Sequence, residues 1–576
     1  MKTKIQNRER KNIEIAKKLA KETGLSPMIT EFLCDKGYKT KEKINNFINF
    51  DESNLRKISQ MKDCITFLNI LKDAILNKEK IVIFGDYDGD GISATAIFIW
   101  TIRWLQENSD APSVGWFIPD RFKEGYGLSV KSMERLITTY PDVDLVVTCD
   151  NGIVAFDGVE YAKKHGIDII ISDHHEASPD GRLPDCPVVC EKRLDENKEN
   201  IEAFCGAELA RRICVNLVYL LKRDDIKPKL ELLYAFSGFA TITDVIEMNV
   251  SNHYVAKKGL EIINSGKIPC FNALKKAQEV KRDVDEDTIG FRYGPMVNAA
   301  GRILGEATIP ELLFIEQNEE KANELALKLN ELNTIRQDMS LAEQKNVVKE
   351  IEENNFKNNS FIIVDKYDYK EGIAGLNASY IVDNYKVPAI CFCQKDDDPT
   401  MLKGSGRSIE GFNLKAALDN CSDLLAGYGG HPMAAGITIK KENLDKFRER
   451  INQLAKNVAD MEICYNIDYL IEPSEVSIEM VDEYKRYLAP FGPEFEKPVY
   501  AVKGVFKPKP LIMKEKHLRF SLINNEQLTM VWFNSLLKYK ILNPESKRII
   551  AIGQPNENIY NGTTSVQFLV DELFVF

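Results

Sequence analysis

From Lys80 onward, apolar runs of four to six residues alternate with longer stretches of helical periodicity. Ile81–Phe84, Leu145–Val147 and Ile167–Ile171 are separated by Val130–Thr139 and Phe156–His165. Short apolar runs punctuated by amphipathic segments predict parallel βαβ units, hence a doubly wound sheet. Ile92–Trp104 reads as a mostly buried helix. The first fifty residues, rich in Lys and Glu with scattered Ile and Leu, predict a few short surface helices and no chemistry. After Glu306 a long charged helix is expected to join two domains, with Leu325, Leu329, Leu332, Ile335 and Met339 recurring every three or four residues. A second α/β region comes next, from Phe361–Val364 to the Gly-rich Gly427–Gly436. Beyond Ile463, short alternating strands broken at Pro508–Pro510, Asn524–Asn525, Asn543–Pro544 and Asn556 predict a β-barrel of about a hundred residues. The expected divisions are 1–55, 56–305, 306–357, 358–458 and 459–576.

A chain of 576 residues with 44% apolar content exceeds one hydrophobic core and implies about three to four domains. The twelve cysteines lack the paired spacing of zinc ribbons. Cys391 and Cys393 lie in an apolar run and are assigned to strand packing, and Cys186 with Cys190 is the only other close pair. With no cationic leader before an apolar cleavage segment, and no run of about 18 apolar residues, the chain is expected to be cytoplasmic, reduced and without a membrane span. The net charge of −11 argues against a polyanionic partner until its distribution is considered. Residues 499–576 carry ten Lys and Arg against six Asp and Glu, a net of +4 that leaves −15 on the rest. Acidic groups that hold divalent metals inflate the negative count without repelling substrate.

The chemistry begins at Gly85–Gly91, where Asp86, Asp88 and Asp90 alternate directly after an apolar run. In an extended chain the three carboxylates would share one face and make a hard-cation site. A calcium loop would need a bidentate Glu eleven residues after the first Asp, and that position is Ile97. Two further strand-like runs end in Asp150-Asn151-Gly152 and Asp173-His174-His175. Each Asp alone is as easily a helix cap or turn residue. Together, at the carboxyl ends of parallel strands, they are expected to converge in one crevice. Mixed carboxylate and imidazole donors suit Mn²⁺, then Mg²⁺, and two ions about 3.5 to 4 Å apart would serve phosphate-ester hydrolysis. Neither a Gly-x-Ser-x-Gly elbow nor a Gly-x4-Gly-Lys-[Ser/Thr] loop occurs, which disfavours a covalent hydrolase and an ATPase.

With Asp173-His174-His175 in place, the chain resembles the DHH phosphoesterase superfamily, and within it the exonucleases specific for single-stranded DNA. Arg121–Gly127, Asp150–Ile153, Ile242–Ile246 around Asp244, and Gly294–Arg302 match in family order. Gly404–Ser408 and Gly430–Gly436 resemble the associated DHHA1 domain, and the terminal module an oligonucleotide-binding (OB) barrel. The resemblance covers roughly residues 60–576. It implies a DHH-type doubly wound parallel sheet domain, a long connecting helix, a second α/β DHHA1 domain and a C-terminal OB-like β-barrel. It also implies two Mn²⁺ or Mg²⁺ ions and 5′-to-3′ hydrolysis of single-stranded DNA to mononucleotides in repair and recombination. Partners would include a single-strand binding protein or other repair proteins, and the chain is expected to be monomeric.

Carried over residue by residue, the resemblance makes Asp88, Asp90, Asp150, His174 and Asp244 ligands, with Asp150 bridging. Asp86 is a further ligand or outer group. His175 is a ligand or a donor to the scissile phosphate, and Asp173 orients the histidine loop. Arg407 with Ser405, Gly406 and adjacent backbone amides is assigned to substrate phosphate, together with Arg302, Arg121 and His431. In the barrel, Phe520, Trp532, Phe533 and Tyr539 near Lys507, Lys509, Lys516, Arg519 and Lys540 are the base-stacking candidates, of which about half must be core in alternating strands. Three positions depart from the family pattern: Phe84 for a His in some members, and His253 and Met296 for Arg. The alternatives are a phosphodiesterase for short RNA or cyclic dinucleotides, and a noncatalytic nucleic-acid-binding relative.

Overall fold

The computed structural model describes all residues except 1, 2, 9, 10, 108–111, 198–201, 396, 397, 461, 462, 561 and 562. The chain divides into two compact units, Lys57–Asp244 with Lys258–Met461, and Thr3–Arg56 with Val245–Lys257 and Glu462–Phe576.

The first unit opens with β1 (Ile81–Phe84), α1 (Gly89–Gln106), β2 (Gly115–Phe117), α2 (Val130–Thr139), β3 (Leu145–Cys149), α3 (Phe156–Lys164), β4 (Asp168–Ser172) and β5 (Val188–Val189). The sheet runs β2-β1-β3-β4-β5 and is parallel throughout. Both faces are covered, so β1 and β3 are buried at every residue, as their unbroken apolar runs require. Met133 and Leu136 from α2 and Val159 and Ala162 from α3 pack on one face, against Val82, Phe84, Val146 and Ile169. On the other, α1 is enclosed by α4 (Gly206–Leu220) and α5 (Tyr234–Thr243), which explains why it is apolar all round. Each fully buried Ile, Val or Leu contributes about 1.5–3 kcal/mol relative to exposure. Because β1 connects to β2 on one side and has β3 on the other, its carboxyl end is the topological switch point.

A short helix, α6 (Thr308–Ile315), precedes the long α7 (Glu319–Glu353), which Asn318 caps by accepting from Lys321 N–H at 3.0 Å. Its buried stripe is Ala322, Ala326, Leu329, Asn333, Ser340, Glu343, Val347, Glu350 and Ile351; of the expected apolar stripe only Leu329 is fully buried, and Ile335 stays 47% exposed. Glu343 and Glu350 join this face because they receive hydrogen bonds from a neighbouring loop. The second α/β layer contains β6 (Ile362–Val364), α8 (Glu371–Tyr385), β7 (Ala389–Lys395), β8 (Asp398–Arg407), β9 (Leu425–Gly430), β10 (Ala434–Lys440) and α9 (Leu444–Leu454). Its sheet order is β9-β10-β8-β7-β6, with only β6 and β7 parallel. Cys391 and Cys393 are buried on β7, as expected for strand packing, and all twelve cysteines are free.

In the second unit, strand Thr3–Asn7 pairs in parallel with β11 (Ile463–Ile467). The main sheet comprises β12 (Tyr469–Ile471), β13 (Tyr500–Val505), β14 (Leu511–Met513), β15 (His517–Leu522), β16 (Asn525–Trp532), β17 (Arg548–Tyr560) and β18 (Thr563–Val575), in the order β12-β13-β17-β18-β16-β15-β14. A bridge between Phe506 and Leu522 joins the end of β13 to β15, with Lys507 N–H to Ser521 O at 3.1 Å and Ile523 N–H to Val505 O at 2.8 Å. These bonds close a five-stranded barrel from β13, β17, β18, β16 and β15. Asn556 does not end a strand: β17 runs through it to Tyr560, paired with β18, while Pro555 is tolerated because β13 accompanies β17 only as far as Gly553. The N-terminal helices are not all superficial either. Ile29–Cys34 of helix Pro27–Asp35 are buried, and Phe32 meets Phe491 and Phe495 edge-on. His253 is core: its Nε2 lies 2.7 Å from Leu488 O, between Phe47 and Phe495, and burial lowers its pKa to about 4. Of the barrel aromatics, Phe520 and Trp532 are buried and Phe533 is 55% exposed. Among the described residues no helix is long and apolar enough to cross a membrane.

Candidate metal centre and the adjoining arginine pocket

The acidic triplet is not an extended strand. Asp88 is the N-cap of α1, accepting from Asp90 and Gly91 N–H at 3.0 and 3.1 Å, so Asp90 already lies in the first helical turn. A capping Asp ahead of Gly-Asp-Gly starts the helix three residues earlier than the apolar pattern predicts. Gly91 is obligatory, because a Cβ there would stand 2.6 Å from Asp86 N. The carboxylates therefore diverge into two groups. Asp86 and Asp88 face Asp150, while Asp90 faces His174 and Asp244.

Backbone N–H groups fix several of these side chains. Asp90, 1% exposed, accepts from Gly206 and Ala207 at 2.7 Å each, at the N-terminus of α4. Asp150 follows β3 in a left-handed conformation (φ 63°) and packs so tightly on Gly206 that a Cβ there would lie 2.9 Å from its own. Asp173 follows β4, accepts from Ile153 N–H at 2.8 Å and from His174 N–H at 2.8 Å, and holds His175 Nδ1 at 2.8 Å. It orients the histidine loop and belongs to none of the three candidate ligand groups. Asp244 caps the C-terminal end of α5.

His174 Nε2 stands 3.0 Å from Asp150 Oδ1, 3.4 Å from Asp90 Oδ2 and 3.7 Å from Asp244 Oδ2. Yet Asp150 Oδ1 has no hydrogen-bond partner although it is buried, so the ring and carboxylate face a common point rather than each other. Each candidate group, Asp86–Asp88–Asp150, Asp90–His174–Asp244 and Asp150–His174–His175, gathers its donor atoms within 4.8 Å. The two groups built on the acidic turn adjoin through Asp150 and His174. Hard carboxylates with one or two imidazoles fit Mn²⁺ or Mg²⁺, and no cysteine enters the cluster.

The electrostatics point the same way. Burial and the charge of Asp88 push Asp86 up to about 7, and burial with Asp90 and Asp88 pushes Asp244 to about 8. Burial, then the neighbouring carboxylates, raises Asp150 well above the usual range. Such values mark negative charge that needs a cation. Burial lowers His174, leaving the neutral imidazole a metal requires. Asp173 opposes the trend: burial raises it, but the hydrogen bond and charge of His175 outweigh that and hold it low. The hydrogen bond that His175 Nδ1 donates to Asp173 in turn lifts the imidazole's pKa to about 9, so this half-exposed ring is a cationic donor at neutral pH.

In the same unit, Arg121, Arg302, Ser405 and Arg407 line a cavity of about 420 Å³. Arg121 lies over the ring of Tyr87 at 5.0 Å and donates to Tyr126 Oη at 3.2 Å; its Nε is buried without a partner. Tyr87 sits between Asp86 and Asp88, so Arg121 of the cavity rests on a ring held by the acidic turn. Burial, with the charges of Arg121 and Arg336, pushes Arg302 down to about 10. The acid of the lining, Glu371, is paired with Lys403 at 2.5 Å, so the clustered guanidiniums keep a net positive charge and make an anion pocket. Gly404–Ser408 is not a turn: Ser405 and Gly406 are mid-strand in β8, paired with both β7 and β10, so their amides are occupied. Phosphate would meet Ser405 Oγ and Arg407, which are themselves 3.1 Å apart. Gly406 faces the sheet core beside Leu414 and Ile390, and exposed His431, in the β9–β10 turn, is not part of the lining. Tyr87, Arg336 and the Gly206–Ala207 amides carry no signal in the sequence pattern; the last are 116 and 117 residues from Asp90, beyond any local rule. Phe84 lies under the cluster, stacked on Phe117 at 5.3 Å, and Met296 is buried.

Three family models match the chain in succession: the DHH family N-terminal domain at residues 80–236, the DHHA1 domain at 358–457 and the RecJ OB domain at 467–572. Fold and site together define a DHH phosphoesterase with an appended oligonucleotide-binding barrel. RecJ of Bacillus subtilis is 29% identical over 574 residues, 98% of this chain and 70% of that protein, and RecJ of Escherichia coli 27% over 541 residues, 90% of each. The crystal structure of Thermus thermophilus RecJ with Mn²⁺ superposes with a TM-score of 0.79 at 23% identity, covering 100% of this chain and 79% of that one. The chain is thus similar to RecJ along nearly its whole length.

Proposed function

We propose that the chain is a metal-dependent exonuclease that removes mononucleotides from the 5′ end of single-stranded DNA in repair or recombination; its relatives are named single-stranded-DNA-specific exonucleases, which supports the substrate class. The observation that carries this reading is Asp150: a buried carboxylate with an unbonded oxygen, belonging to one acidic group through Asp86 and Asp88 and to another through His174. Asp86, Asp88, Asp90, Asp150, His174 and Asp244 would hold two Mn²⁺ or Mg²⁺ ions. When bound, such a pair activates water and stabilises the attacking and leaving oxygens of a phosphodiester. His175, kept cationic by Asp173, donates to the scissile phosphate or the departing oxygen. Arg302, Arg407 and Ser405 grip the terminal phosphate, and Arg121 on Tyr87 guides the strand between pocket and cluster. The barrel adds a basic surface for a longer strand, and single-strand binding or other repair proteins are the partners of a cytoplasmic, monomeric enzyme on this account.

The test is incubation with Mn²⁺ and single-stranded DNA labelled separately at each end, with duplex DNA, an RNA dinucleotide and pyrophosphate alongside, repeated with Asp150→Ala. Early release of 5′-terminal mononucleotides, absent in the variant, is the expected result. Activity confined to the dinucleotide or pyrophosphate would move the protein to the small-substrate branch, and DNA binding indifferent to Asp150 without cleavage to a noncatalytic role.

A further inference from the structure

The buried polar stripe of α7 serves the arginine pocket, an inference that rests on the pocket's proposed role as the terminal-phosphate site. Two carboxylates seven residues apart on one face of α7, Glu343 and Glu350, are 8% and 1% exposed, and both are met by backbone amides and neutral side chains. Glu350 accepts the backbone N–H of Asp365 at 2.9 Å and of Lys366 at 3.1 Å, and the hydroxyl of Tyr369 at 2.8 Å. Glu343 accepts the backbone N–H of Lys370 at 3.0 Å and the amide of Asn377 at 2.6 Å. Outside α7, Arg448 of α9 donates to the Asp365 carboxylate at 2.6 Å. The crossing from β6 to α8, residues 365–370, is thus bound at both its ends to two acids of another helix. Buried carboxylates are an expensive way to hold a loop, and they hold it only in the position where each N–H meets its oxygen.

Directly after that loop comes the pocket wall. α8 begins at Glu371, and Gly372 is pressed so closely on the Arg302 carbonyl that a Cβ would stand 1.9 Å from its oxygen. One turn on, a Cβ at Gly375 would stand 2.9 Å from Arg407 Nη2 and 3.1 Å from Ser405 Oγ. The first turn of α8 therefore lies between Arg302, whose Nη1 also donates to the Gly372 carbonyl at 3.4 Å, and Arg407. We propose that Glu343 and Glu350 are positioning residues for the arginine pocket: by clasping the 365–370 loop they set the first turn of α8 and with it the separation at which Arg302 and Arg407 grip a terminal phosphate. They touch neither substrate nor the acidic cluster.

The test compares Glu343→Gln and Glu350→Gln with the unaltered chain on matched oligonucleotides bearing a 5′-phosphate or a 5′-hydroxyl, with Mn²⁺ present. An amide preserves shape and burial but accepts on one atom only, so each variant loses part of its clasp. The expected result is a KM for the phosphorylated strand raised about fivefold to tenfold, kcat kept within about twofold, and little change for the hydroxyl-ended strand. Tyr369→Phe, which removes a single bond, is expected to move the same ratio in the same direction by about twofold. A general loss of folding would lower both substrates alike and would not alter their ratio. Variants that retain the unaltered chain's preference for the phosphorylated strand overturn the clasp alone. If the unaltered chain has no such preference, the phosphate pocket itself is wrong and the clasp falls with it.

Discussion

The acidic cluster and the arginine pocket meet where Arg121 lies over Tyr87 but are built by opposite means. In the cluster, short side chains sit at the ends of β1, β3 and β4 and are aimed by backbone amides, as Asp90 is by Gly206 and Ala207 and Asp173 by Ile153. In the pocket, long side chains arrive from separate parts of the chain, and their separation depends on the packing of α8 against Arg302 and Arg407. Metal chemistry tolerates little displacement, so the reacting end is tied to the sheet. Grip on a phosphate needs charge and a fork more than sub-ångström placement, so it is delegated to arginines.

Substitutions that break this contrast differ in size. Asp150→Ala removes the carboxylate that belongs both to the Asp86–Asp88–Asp150 group and to the Asp150–His174–His175 group, and loss of several kcal/mol of transition-state stabilisation corresponds to a fall in kcat on the order of a thousandfold; single-turnover cleavage with saturating Mn²⁺ checks it. Asp173→Asn leaves the ligands in place but unties His175, for which a loss of about ten- to a hundredfold is expected, accompanied by a downward shift of the basic limb of the pH–rate profile that His175 near 9 would otherwise set. Arg407→Gln is expected to act on the other region, raising KM for a 5′-phosphorylated strand about tenfold or more while sparing kcat.

The unbalanced charge of the cluster predicts a pH-dependent stability in the metal-free chain. The folded-state carboxyls of Asp86 and Asp244 lie above their ordinary value of 3.8, at about 7 and about 8. Protonation is therefore favoured by folding, and the stability these groups contribute is fully present below the ordinary value and lost as pH rises through 7 and 8. With metal chelated, Tm should fall over that interval, and Mn²⁺ should restore it most at the alkaline end, as calorimetry with and without the ion would show. Smallest of all is His431→Ala, at an exposed turn outside the pocket lining, where KM should move by no more than about twofold.

The same contrast accounts for what the sequence discloses. Ligands at the ends of short apolar runs are legible because a strand and its turn are local: Asp150, Asp173 and His174 follow directly from the pattern, and the parallel sheet brings them together. The placement of Asp86, Asp88 and Asp90 on one extended face was not correct, since capping by Asp88 is a stronger local rule than strand alternation. Contacts between separate elements leave no trace in a local pattern, whether Asp90 with Gly206, 116 residues on, or Glu350 with Asp365, 15 residues on. Glycines misled in the second domain, where Gly404 and Gly406 read as a turn but lie in a strand, their missing side chains making room for Phe392 and Leu414. Likewise α7 carries leucines that suggest one buried stripe, whereas the side actually buried mixes apolar residues with Asn333, Ser340, Glu343 and Glu350, the last two of which clasp a loop.

The most direct test of the account is the anomalous-scattering map of crystals soaked in Mn²⁺. Two adjacent peaks are predicted, one among Asp86, Asp88 and Asp150 and the other among Asp90, His174, Asp244 and Asp150, both lost in Asp150→Ala. A single peak that survives the substitution, or manganese bound elsewhere with the cluster empty, would contradict the two-ion site on which the proposed hydrolysis depends.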